Sequence, residues 1–206
     1  AAGFQRGQGT VANNIGLIYL ISGKPDRAAE HFRTLLEMGQ ALDNRRLQAI
    51  AHMNLGNAYR EQGEDSLAEA AFWNSYEIQA TIGNLEEQVG LLNNIGMLQR
   101  QRGDYQASIQ TLQQAIALQP RESHSANLFF ANLNLTYSLL AAGRIDAARR
   151  QADRCWNMGQ HSPNSRVKKS LLDMRHEIAA ATGDHATAYR YLQESRWYAD
   201  SLKQHE

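Results

Sequence analysis

The sequence has one cysteine in 206 residues, no excess of either charge and no long apolar run. A single thiol, Cys155, excludes an internal disulfide and fits a reducing compartment, so a cytoplasmic location is expected; as a residue it reads as a small buried side chain in a helix. Lys plus Arg and Asp plus Glu balance at 21 each. Binding to nucleic acid or to an anionic membrane needs a basic face, and the composition gives no support for one. No stretch approaches the roughly 20 apolar residues of a membrane-spanning helix, and no secretory signal is visible. Ala1 stands without a preceding Met and Glu206 falls in helix-like sequence, which reads as a segment of a longer chain.

Chemical motifs are missing as well. The cluster Gly7-Gln8-Gly9-Thr10 lacks the Lys and the spacing of a phosphate loop, and Thr10 reads instead as a helix N-cap. Neither H-E-x-x-H nor G-x-S-x-G occurs, and no two of the seven His residues share a helical face at i, i+4. Asp173, His176 and Glu177 do share a face, but beside Arg175 they read as a surface charge cluster rather than a metal site. Asn134-Leu135-Thr136 has the form of a glycosylation acceptor, yet lies in the middle of an apolar helical stretch. No catalytic residue, metal or cofactor is expected, and the chain is read as a non-enzyme.

What the chain has is a beat. Between Glu87 and Pro120, two runs with apolar residues at helical spacing (Leu91, Leu92, Ile95, Leu98; Ile109, Leu112, Ala115, Ile116) flank Gly103-Asp104-Tyr105. So short a connection forces two amphipathic helices to pack as an antiparallel hairpin. The turn glycine recurs at one constant interval, at Gly23, Gly63, Gly103, Gly143 and Gly183. Five residues after it stand Ala28, Ala68, Ser108, Ala148 and Ala188. Nine after it stand Phe32, Phe72, Leu112 and Leu192, with Ala152 the exception. Seven before it stand Gly16, Gly56, Gly96, Thr136 and His176. Small residues let the paired helices approach, and the large one fills the wedge beyond their crossing.

These columns resemble the tetratricopeptide repeat (TPR), with its Gly or Ala, Ala, large aromatic and closing Pro. The resemblance covers residues 9–206. It implies an all-α, right-handed α-solenoid of five helix-turn-helix repeats, near 9–45, 46–85, 86–125, 126–165 and 166–206; residues 1–8, with two glycines and no helical stripe, read as a frayed lead-in or the remnant of a preceding helix. Repeat three closes at Pro120, and a polar linker, Arg121 to Ser125, follows. Repeat five departs from the pattern: Arg175 replaces the aliphatic column Ile15, Leu55, Ile95 and Leu135, and His176 takes the helix-crossing position, as in a polar cap.

In TPR proteins the first helices of successive repeats line a groove, and the resemblance singles out its columns here. Asn14, Asn54, Asn94 and Asn134 stand in register, followed by Met174. An Asn amide donates and accepts, which suits the backbone of an extended peptide; the competing reading is that these amides bridge neighbouring helices. Asn13, Asn93, Asn57 and Tyr137 face the same way, and Arg60 and Arg100 recur in register as a candidate pair for an acidic group. The class of this repeat length with paired Asn is similar to kinesin light chains, Pins-type adaptors and bacterial Rap-type regulators. A chaperone-tail clamp is disfavoured, because Asn13, Leu17, Asn54, Gly90 and Asn94 occupy the columns where that clamp has Lys and Arg. The expectation is a protein- or peptide-binding module, the regulatory segment of a larger bacterial signalling protein, with Tyr198 to Lys203 similar to a junction before an output domain. The rival is a structural scaffold that forms a homodimer through Trp197 and Tyr198.

Overall fold

The computed structural model of the chain describes residues 2–119 and 125–203, with side chains placed for 9–119 and 125–202. Pro120 and most of the expected linker lie outside the described residues. The rest forms ten helices: α1 (Ala2–Ile21), α2 (Pro25–Ala41), α3 (Arg45–Glu61), α4 (Asp65–Ile82), α5 (Leu85–Gln101), α6 (Tyr105–Ala117), α7 (Ala126–Ala141), α8 (Ile145–Gly159), α9 (Ser165–Ala181) and α10 (His185–Lys203). α1 packs on α2, α3 on α4, α7 on α8 and α9 on α10, and the described residues make an all-α helical repeat of the solenoid class.

The five turn glycines adopt φ between +69° and +87°, where a Cβ would be strained. At each hairpin the next residue donates its amide back across the turn, as in Lys24 N to Tyr19 O (2.9 Å) and Arg144 N to Leu139 O (2.9 Å). This is the six-to-one bond of a Schellman ending, which satisfies a terminal carbonyl and reverses the chain within three residues. Pro25 begins α2, where its missing N–H costs nothing. Between repeats a second hinge column emerges that the glycine count overlooks: Asp43 (φ +45°) and Gly83 (φ +79°), one repeat length apart. Side-chain caps follow several hinges, with Asn44, Ser125 and Asn164 accepting amides of the first turns of α3, α7 and α9.

Two compact units are distinguished, Ala1–Leu98 and Gln99–Glu206. In the first, α2 packs on both α1 and α3, and α3 on α4. Its core joins Ala28, Ala29, Phe32, Leu55, Ala58 and Ala71. Phe32 and Phe72 are fully buried, each worth about 1.5–3 kcal/mol of transfer free energy. They fill the space that glycine leaves: a Cβ on Gly16 would stand 2.5 Å from Phe32 Cε1, and one on Gly56 equally close to Phe72. In the second unit, Phe129, Leu133, Ala152, Cys155, Leu171, Met174 and Ile178 form the core. There the helix crossing is made with polar atoms. Thr136 Oγ1 donates to Asn132 O and touches Cys155 Sγ (3.7 Å), and His176 Nδ1 lies 3.0 Å from Ala188 O.

The expected N-cap at Thr10 is corrected by α1, which runs back to Ala2, so Thr10 lies inside a helix. Gly9 explains the continuation. It is buried, and its Cα face seats against Leu35 and Leu47, a tertiary contact that offsets the roughly 1 kcal/mol a glycine costs a helix interior.

Candidate functional site

The candidate groove residues sit on first helices of the repeats, with Trp197 and Tyr198 on α10, and the two units hold separate parts of them. In the first unit, Asn54 is buried on α3 and its Nδ2 donates to Asn13 Oδ1 on α1 at 2.7 Å. That amide pair ties two neighbouring first helices together, and its net worth is about 1 kcal/mol. Asn14 is exposed, while Asn57, Asn93 and Asn94 are half-buried. Arg60 pairs with the adjacent Glu61 at 3.4 Å, an exposed contact that contributes little. The Asn column is thus one column in sequence but not in environment.

In the second unit, Arg100 lies over the Tyr137 ring, 5.7 Å from its centroid. Arg100 Nε is buried and makes no hydrogen bond. Burial chiefly, then the charges of Asp173 and Glu177, raise the Tyr137 hydroxyl well above the ordinary tyrosine value, with Arg100 pulling the other way. The hydroxyl therefore stays protonated and available as a donor across the physiological range. Asn134 is buried, its carbonyl accepting from Ser138 Oγ. Asp173 is held from two sides, by Lys169 Nζ at 2.6 Å and by the Ser195 hydroxyl. Arg60 and Arg100 belong to different units, and each interacts with its own neighbours.

Several polar contacts escaped the sequence reading. Asn132, close to the Asn column on α7, accepts from Gln151 Nε2 at 2.7 Å. Arg33 lies over Tyr59, 5.9 Å from the ring centroid. Arg175 stacks on Trp156 at 4.2 Å, with the Tyr191 ring centroid at 6.0 Å and Asp153 at 3.5 Å. The charged residue in an aliphatic column was the visible signal; its aromatic partners, one on α8 and one on α10, were not. A cavity of about 250 Å³ opens beside it between α8, α9 and α10, walled in part by Arg149, Asp153, Thr182 and Tyr191. Trp197 is 64% exposed and meets Tyr198 edge to face at 4.8 Å, while Lys168 covers Tyr198 at 5.8 Å.

For Asp173, His176 and Glu177 the geometry gives no metal cage: among the described residues no three His, Cys, Asp or Glu side chains converge on one point. Nor is any described helix long and apolar enough to cross a membrane.

Comparison with known proteins bears on the fold as a whole. Family models described as tetratricopeptide repeat match residues 7–80 and 89–122, together more than half of the chain. Among solved structures, the apo form of RapI is similar with a TM-score of 0.83 and 14% identity, over 96% of this chain and 70% of that one. BtubC from P. vanneervenii is similar with a TM-score of 0.78 and 17% identity, over 95% and 82%. A kinesin light chain with nearly identical TPR-like repeats from Podosopora anserina gives 0.69 and 18%, over 96% and 95%. No curated protein matches the sequence. The TPR fold is in general a non-catalytic scaffold for protein interactions. With its glycine hinges in constant register, the ten helices of its described residues and these matches, the chain belongs to the tetratricopeptide-repeat family.

Proposed function

We propose that the first-helix faces bind an extended peptide or a partner's helix, and that the chain is the regulatory segment of a larger bacterial signalling protein. The observation that carries the binding reading is the strip in the second unit. Arg100 over Tyr137, with the hydroxyl kept protonated beside Asp173 and Glu177, offers a cation, a donor and two carboxylates, on side chains that are half-buried except for the exposed Glu177. Such mixed groups recognise the polar backbone and alternating charges of an extended segment better than a single charged terminus. Asn93, Asn94, Asn57 and Asn14 add amides that are half-buried or exposed in the first unit. Asn54 and Asn13 enter the proposal differently, as the pair that sets the spacing of α1 and α3. Support for the signalling role comes from fold likeness to regulators, among them a Rap protein complexed with competence and sporulation factor (TM-score 0.68, 12% identity).

A screen of a random peptide library against the purified chain tests this. Binding that falls at least about tenfold in Arg100→Ala and in Tyr137→Phe, with unchanged helicity, is the expected result, since each removes a charged or donor contact. Equal binding by both variants rejects the strip. The second reading, a homodimeric scaffold, rests on the exposed Trp197; a dimer lost in Trp197→Ala, with no peptide captured by the parent chain, favours it over the first.

A further inference from the structure

The seam between the last two repeats is hollow where the seam between the first two is packed. In the first unit, Phe32, Leu55 and Ala58 meet with Tyr59 against them, and Phe32 is fully buried. Counted from the turn glycines, the same columns of the last two repeats hold Ala152 for Phe32, Arg175 for Leu55, Ile178 for Ala58 and Ala179 for Tyr59. A phenyl and a phenol ring are therefore absent from one wedge. Thr136, which stands where repeat one has Gly16, and Ile178, which replaces an alanine, return only part of that volume. The remainder is the cavity of about 250 Å³ between α8, α9 and α10, with Ala152, Ile178 and Ala179 as its apolar wall. Packed interiors leave few voids larger than a water molecule, so a hole opened by two column substitutions and rimmed with charge has the form of a ligand pocket.

The polar groups around it suit an anion. Arg175 enters the wall through a column that is aliphatic in every other repeat, and the Trp156 ring at 4.2 Å fixes its guanidinium plane. Its polar contacts are long: 3.4 Å from Nη1 to the Tyr191 hydroxyl and 3.5 Å from Nη2 to Asp153 Oδ1. Arg149, which also lines the cavity, is exposed and makes no hydrogen bond or ion pair within the described residues. Two guanidinium groups stand against two carboxylates, and both carboxylates are engaged, Asp153 with Arg175 and Asp184 in accepting the Thr187 amide at 3.1 Å. One added negative charge is accommodated by Arg149. A phosphate dianion or a dicarboxylate would bring a second one beside the two aspartates.

We infer that this cavity binds a small organic monocarboxylate with a short apolar body, its carboxylate held by Arg149 and Arg175 and its body laid on Ala152, Ile178 and Ala179. A volume below the roughly 300–1,000 Å³ of drug-sized sites limits the ligand to metabolite size. A branched fatty acid and an amino acid share this chemistry, and Asp153 offers the ammonium group of the second a partner. The site has no residue in common with the Arg100–Tyr137 strip, so it and the binding proposal above stand or fall separately.

Calorimetric titration of the 206-residue chain with 4-methylpentanoate, leucine and the neutral 4-methylpentanamide, up to tens of millimolar, tests this. Saturable binding of at least one carboxylate is expected, with the amide at least about tenfold weaker, and the tighter carboxylate identifies the source. Arg149→Gln, a change at an exposed side chain, should weaken that binding at least about tenfold. Ala152→Leu, which gives the column the leucine of repeat three, should abolish it while the thermal midpoint holds or rises. No saturable heat with either carboxylate overturns the site, as does binding that either substitution leaves unchanged. An amide that binds as tightly as the carboxylates overturns the assignment of the ligand class.

Discussion

Gly56→Ala tests whether close approach, rather than backbone freedom, keeps glycine at the helix crossing. Gly56 is in the middle of α3, so helix propensity alone predicts a gain of about 1 kcal/mol for alanine. Packing predicts the reverse. The new methyl would stand 2.5 Å from Phe72 Cε1, 2.6 Å from Cδ1 and 2.9 Å from Cζ, against an ordinary carbon contact of about 3.5–4.0 Å. The obstacle is a rigid, fully buried ring, so relief requires either an off-rotamer phenyl or a shift of α4 from α3. Overpacking of this kind costs about 1–3 kcal/mol, and a clash with three ring atoms belongs at its upper end, leaving a net loss of about 2 kcal/mol. Urea unfolding followed by circular dichroism measures it. The second arm is Phe72→Leu, which removes the ring atoms from the crossing; in that background Gly56→Ala should change sign and stabilise, giving an interaction of about 2–3 kcal/mol in the double-mutant cycle. A Gly56→Ala variant as stable as the parent, or more so, refutes the packing argument.

Cys155 should resist alkylation in the folded protein, because burial pushes its thiol up to about 12 and leaves roughly one molecule in ten thousand as thiolate at pH 8; labelling by iodoacetamide should therefore track unfolding. Burial also lowers His52 below its ordinary 6.5, so the unfolded chain takes up that proton first. The resulting stability is complete above about pH 6.5 and is lost as pH falls toward the folded-state value, and His52→Gln should flatten that part of the pH–stability curve. Breaking the Asn13–Asn54 bond by either alanine substitution should cost about 1–2 kcal/mol, with the double variant far from additive; additive losses would mean that the two amides do not act as a pair.

The hairpins were legible because a Schellman ending demands φ above zero, and glycine meets that demand visibly at a fixed period. The hinges between repeats were not, since Asp43 adopts the same region under another side chain and breaks the pattern. Residues 2–8 show two glycines and no apolar stripe, yet belong to a helix that the seating of Gly9 on Leu35 and Leu47 carries onward. For the Asn column, sequence gives the face but not the rotamer or the neighbour. Asn54 turns to Asn13, Asn14 meets solvent, and nothing in their shared spacing distinguishes the two. The Arg175 stack depended on two aromatics from other helices, contacts that only the folded chain brings together.

The tight reversals at Gly23, Gly63, Gly103, Gly143 and Gly183 leave no slack, and this governs how such a chain changes length. A single-residue insertion within a helix rotates all that follows by about 100°, turning buried side chains outward, whereas loss or gain of a complete helix pair returns each face to an equivalent neighbour. Viable descendants of this gene should therefore differ by whole modules, and their natural cut points lie at the hinge positions of Asp43 and Gly83.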